Sequence, residues 1–175
     1  MQFTKKIRID SDIYTDYAIR IMMRKNGITT VVTSIFLIAL TAFLSKAPTL
    51  PEALLYGLVA GILFFILASL FQYLITKWMA KKSFVKNQID QLVTTITMNS
   101  EGIEQRFADD TVHFEWKHID KVLETIGAYY LFYAPSTALI LPKKDLSEAE
   151  VRSIEQLLQN QLKPHTIKKV GPGHR

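Results

Sequence analysis

The sequence predicts an α+β membrane protein: a two-helix transmembrane hairpin, then an antiparallel β domain closed by a C-terminal helix. Three observations carry this. Residues 27–45 and 53–76 contain no charged side chain. From residue 92 the apolar pattern switches to a period of two, in segments rich in β-branched and aromatic residues. Ser147 and Glu150 then stand at capping-box spacing before an amphipathic run. Averaged over 175 residues the chain is 49% hydrophobic and 21% charged, ordinary values that hide how strongly the apolar residues are concentrated.

Residues 1–26 read as a cytoplasmic amphipathic leader. Ile13, Tyr14, Tyr17, Ala18, Ile21 and Met22 recur at helical spacing, with Asp12, Asp16, Arg20 and Arg24 mostly elsewhere on the wheel. Such a helix either lies at the membrane interface or docks on the C-terminal domain.

The hairpin is expected over 27–78, with spans at about 27–45 and 53–76. These charge-free runs of 19 and 24 residues reach roughly 29 and 36 Å as helices, against a hydrocarbon core of about 30 Å. The first run is too long and too far from the start for a signal peptide. Pro48 and Pro51 mark the turn, where they do not interrupt a helix interior. Gly57 and Gly61 form a G-x-x-x-G pattern that lets two helix backbones approach, either within the hairpin or between copies. Tyr56, Tyr73 and Trp78 fall toward span ends, where amphipathic rings favour the interface. Arg20, Arg24 and Lys25 precede the first span and Lys77, Lys81, Lys82 and Lys86 follow the second, whereas Lys46 alone lies between them, offset by Glu52. The positive-inside rule therefore expects both termini in the cytoplasm.

Residues 79–91 form a basic connector, helical as it leaves the membrane, and 92–163 the cytoplasmic domain. Six strands are expected there: 92–98, 103–107, 111–116, 121–126, 128–134 and 137–142, joined by short turns into an antiparallel meander. Gly102 ends the turn "NSEG", which suits a positive φ, and "ADD" at 108–110 is the next turn. Thr94, Ile96 and Met98 share one face; Val112, Phe114 and Trp116 face inward with His113, Glu115 and Lys117 outward. Val151, Ile154, Leu157, Leu158 and Leu162 make the stripe of the closing helix. Residues 164–175 read as a flexible basic tail.

The runs "EGI" (101–103), "WKHIDKV" (116–122) and "YYLFY…ALILPKKDLSEAE" (129–150), with "IYTDYAIRIMMRK" (13–25) before the first span, resemble the YcxB-like family of bacterial membrane proteins. The resemblance covers nearly the whole chain up to about Pro164. It implies a short N-terminal segment, two membrane helices and a pleckstrin-homology-like cytoplasmic domain, a bent antiparallel sheet capped by a helix. Such domains have seven strands, one more than the pattern supplies. The resemblance implies no catalytic activity, so no residue inherits a catalytic role.

The residues leave two other functional classes to weigh. His113, Glu115 and His118 are the candidate ligands of a metal-assisted hydrolase, but zinc sites take three or four ligands, the chain has no cysteine, and two of its four histidines lie in the tail. The alternation makes His113 and Glu115 the solvated side of a strand and puts His118 on the opposite parity. A transporter or pore subunit would need copies to associate through Gly57 and Gly61; no Asp, Glu, His or Lys lies within the spans to support transport. The expectation is a non-enzymatic membrane protein without cofactor. Its partners are the lipid bilayer and a membrane or cytoplasmic protein, not nucleic acid. The net charge of +5 sits beside the spans and in the tail, which makes Lys77, Lys81, Lys82 and Lys86 candidates for anionic-lipid contact. Partner identity and oligomeric state are not legible.

Overall fold

The computed structural model describes residues 2–45, 49–107 and 110–170. In order, the elements are β1 (Phe3–Arg8), α1 (Ser11–Leu44), α2 (Leu50–Lys86), β2 (Val93–Met98), β3 (Gly102–Arg106), β4 (Thr111–Glu115), β5 (Lys121–Glu124), β6 (Ala128–Ala134), β7 (Thr137–Pro142), α3 (Glu148–Gln161) and β8 (Ile167–Lys169). They form two compact units: Thr15–Lys82, which is helical, and Met1–Tyr14 with Ser83–Arg175, which holds the sheets.

In the helical unit, α1 and α2 are each long and apolar enough to cross a membrane, and only 11% of the most apolar stretch of either is buried. A core helix of a water-soluble protein would be mostly covered. Here Phe36, Leu67 and Phe71 are each more than 60% exposed, and leaving such side chains in water forgoes about 1.5–3 kcal/mol apiece. The hydroxyls of α1 are satisfied locally. Thr30, Thr33, Ser34 and Thr41 each donate to the carbonyl four residues back, at 2.7–3.0 Å, as a medium without hydrogen-bond partners requires. Gln72 of α2 donates to Thr30 Oγ1 at 3.1 Å, the polar contact between the two helices. Gly57 and Gly61 face α1. A Cβ on Gly57 would stand 2.5 Å from the Ile38 carbonyl oxygen, and one on Gly61 would collide with the Ile38 side chain. Pro51 lies in the first turn of α2, where its missing N–H costs nothing. Lys46 and Pro48 of the expected turn lie outside the described residues.

The other unit holds two four-stranded sheets, ordered β1-β2-β3-β4 and β7-β6-β5-β8. All neighbours are antiparallel except β5 and β8, which run parallel. The six expected strands are all present within a residue or two of their expected ends, but they do not form a single meander. After Glu115 the chain makes a 3-10 turn, Trp116–His118, which buries Trp116 and lets its indole N–H donate to the Asn99 carbonyl at 2.8 Å. The turn separates the two sheets.

Two strands, β1 and β8, lie outside the six that the alternation predicts. β1 pairs along its whole length with β2, from Phe3 opposite Met98 to Arg8 opposite Val93. It falls in the leader, which is thus part strand and not only an amphipathic helix; the helical spacing from Ile13 onward is the start of α1. With β1, seven antiparallel strands precede α3, the number the family resemblance called for. β8 corrects the flexible tail: Ile167–Lys169 line up with Val122–Glu124, while residues 171–175 lie outside the described residues.

Three smaller differences have physical causes. Gly102 does not take a positive φ, nor does any other described glycine; its side chain is missing because a Cβ would collide with the Phe114 carbonyl and meet the His113 ring. Val112 is exposed and Phe114 only partly buried, because β4 is the edge of its sheet and its first half runs past the core. The connector is helical only to Lys86; Gln88 adopts a left-handed φ of 50° and a 3-10 turn follows. Part of the expected "ADD" turn lies outside the described residues. The core otherwise draws on both sheets and α3. Ile96, Met98, Ile103, Val122, Leu131, Leu141 and Ile154 are fully buried, and the Ser147–Glu150 capping box opens α3 as its spacing requires.

Candidate functional site

The histidine row at β4 was the chemistry most visible in the sequence. His113, Glu115, Lys117 and His118 are all exposed. Glu115 pairs with Lys117 at 2.7 Å, and that hydrogen bond holds its carboxyl below the usual range against a small opposing effect of burial. Among the described residues no three His, Cys, Asp or Glu side chains group to hold a metal ion. What β4 offers is an edge. It pairs with β3 on one side only, so the backbone groups on its other side are free of any described strand. Val112 stands exposed upon it.

A tighter constellation lies at the end of β5. Glu124, its side chain only 12% exposed, receives Lys143 of the β7–α3 loop at 2.8 Å and Lys169 of β8 at 3.1 Å. Lys169 also reaches Glu155 of α3 at 3.4 Å. Burial pushes the Glu124 carboxyl up, but the two lysines outweigh it and hold the group below its ordinary value. Lys169 is raised in turn, mainly by its hydrogen bond to Glu124. Beneath them Lys143 stands 4.3 Å from the centre of the Tyr129 ring, a cation–π contact. The Tyr129 hydroxyl is buried without a hydrogen-bond partner among the described residues; burial, then Glu124 and Glu155, push its pKa up. Beside this cluster a groove of about 450 Å³ is lined by Gln159, Leu162, Pro164, Ile167 and Lys169. None of this was read from the sequence. The available signal was Glu124 itself, a carboxylate sharing the parity of buried Val122 in the strand KVLE.

The juxtamembrane lysines are exposed. Lys77 lies 5.9 Å from the Tyr73 ring centre and Lys82 5.1 Å from that of Trp78. Each ammonium thus rests near an aromatic face, the combination that suits a headgroup layer.

At the start of α1, Asp10 accepts from the Ile13 N–H at 3.0 Å and from Lys144 at 2.6 Å. Burial raises its carboxyl, but these bonds and the Lys144 charge bring it below the usual value.

Residues 98–158 match the family described as YcxB-like protein. The match runs from the last residue of β2 into α3, so this part of the sheet unit is YcxB-like, while β1, the two long helices and β8 fall outside it. No curated protein and no solved structure matches the chain.

Proposed function

We propose that this is a non-enzymatic bacterial protein of the cytoplasmic membrane. The hairpin α1–α2 anchors it, both termini lie in the cytoplasm, and the pleckstrin-homology-like sheet unit binds or regulates a partner protein. The topology rests on one observation, the full-length pairing of β1 with β2. One strand precedes both long helices and the other follows them, so they meet only if the chain returns to the side it left. The lysines and arginines flanking the helices select the cytoplasm as that side. The binding role rests on the open edge of β4, a ready template for strand addition. Lys77, Lys81, Lys82 and Lys86 supply attraction to anionic lipid, worth about 1 kcal/mol each near the surface.

Reporters fused at Arg175 and ahead of Phe3 test the topology: both are expected to score cytoplasmic, and opposite signals overturn it. A photo-crosslinking residue at Val112 tests the edge in native membranes. A discrete crosslinked protein is expected, and the absence of any adduct at Val112 counts against β4 as the contact.

A further inference from the structure

β8 is held differently from every other strand. It is three residues long, it is the only parallel neighbour among the described strands, and Lys168 and Lys169 are exposed. Only Ile167 packs toward the core, in register with fully buried Val122. Two further ties close it: the Val170 N–H donates to the Glu124 carbonyl at 2.7 Å, and Lys169 bridges Glu124 and Glu155. A 3-10 turn beginning at Pro164 joins it to α3, so the segment lies along β5 as an appended strap.

Without the strap, what remains is a strand-accepting surface. The edge of β5 would show free backbone groups, the position of Ile167 would be an apolar notch beside Leu162, and Glu124 and Glu155 would lack the Lys169 ammonium. Those features specify an occupant: an extended segment with an aliphatic side chain followed two residues later by a lysine or arginine.

We infer that the β5 edge, with the groove beside α3, is a second docking site for a partner strand of this aliphatic-x-basic pattern, and that β8 occupies it in cis as a displaceable stand-in. This rests on reading the sheet unit as a protein-binding module and names where and what it binds. The in-cis copy benefits from being tethered, so a partner must arrive at high local concentration or with additional contacts.

The test uses the full chain in lipid nanodiscs, a variant ending at Lys163, and a labelled peptide of residues 164–170 read by fluorescence anisotropy. The shortened variant is expected to bind the peptide saturably and at least tenfold more tightly than the full chain. The peptide carrying Lys169→Glu is expected to lose that binding. Equal binding by the two proteins, or none by the folded shortened variant, overturns the proposal. If the shortened variant does not fold, Lys169→Glu in the full chain takes its place. It sets a third carboxylate against Glu124 and Glu155, and is expected to speed hydrogen exchange at Val170 and raise peptide binding; no change in either overturns the proposal. Failure of the peptide to bind would remove this second site while leaving the β4 edge and the binding-module reading to the Val112 crosslinking experiment.

Discussion

Lys5 of β1 donates to Glu150 of α3 at 2.9 Å, across 145 positions of sequence. Lys5 lies between Phe3 and Ile7 on the inward parity of its strand, and it escapes burial by reaching the first turn of the closing helix. Glu150 is at the same time the capping-box carboxylate that accepts from the Ser147 N–H at 2.7 Å. One side chain therefore fixes a helix terminus and ties to it the strand that precedes both long helices.

That carboxylate sets a pH dependence. Its pKa is lowered to about 2, first by Lys5 and then by the Ser147 N–H. A carboxyl depressed in the folded state stabilises above its unfolded pKa and loses that contribution as pH falls toward the folded one. The sheet unit should lose stability between about pH 4.5 and pH 2. Lys5→Met should raise the lower limit of that window and lower stability near neutrality, by an amount that solvent screening keeps small. Thermal melts across this range, followed by near-ultraviolet circular dichroism, read both effects.

Gly102→Ala should destabilise the sheet unit by about 1–3 kcal/mol, the range for forcing an added carbon into a packed site. The new Cβ would meet the His113 ring, which can swing aside, and the Phe114 carbonyl, which as backbone cannot. Denaturant titration of the variant against the parent measures the loss; unchanged stability would mean that β3 and β4 separate freely.

Glu124→Gln should cost about 1–3 kcal/mol, because Lys143 would lose its carboxylate partner at a site with little access to water. Glu155→Gln, at the exposed end of the same network, should cost well under 1 kcal/mol. Comparing the two in one denaturant series separates a buried pair from a surface one.

Gly61→Ile should push the two long helices apart, since the Ile38 side chain occupies the space a larger residue needs. The sequence contains no cysteine, so spin labels at introduced Thr33→Cys and Phe64→Cys report the separation without background thiols. A broadened or lengthened distance distribution is expected, and an unchanged one would show that the helices do not meet at this face.

Much of this architecture was legible because its signals are local. Charge-free runs, strand alternation at Thr94, Ile96 and Met98, and the Ser147–Glu150 spacing each need only a short window. β1 was hidden because "FTKKIR" has a lysine where the inward alternation calls for an apolar residue. Only the distant Glu150 makes that lysine acceptable. β8 was hidden for a related reason: three residues rich in lysine carry no period, and their partner is 45 positions upstream, Val122 opposite Ile167. The histidine row was conspicuous in sequence and is solvated in the fold. The Glu124 cluster was inconspicuous because its members, Glu124, Tyr129, Lys143, Glu155 and Lys169, come from five separate segments.

The pairing of Phe3 with Met98 also imposes an order on biosynthesis. β1 is made before β2 and has no partner until some 95 further residues follow. At typical translation rates of about 5–20 residues per second that is a wait of roughly 5–20 s. On the proposed topology, the hairpin is threaded and turned back during it. A chain left with a single crossing would strand β1 across the bilayer and leave the β2 edge bare, the state that proteases and chaperones recognise. On that topology, the completed β1–β2 pair would report that both crossings have been made.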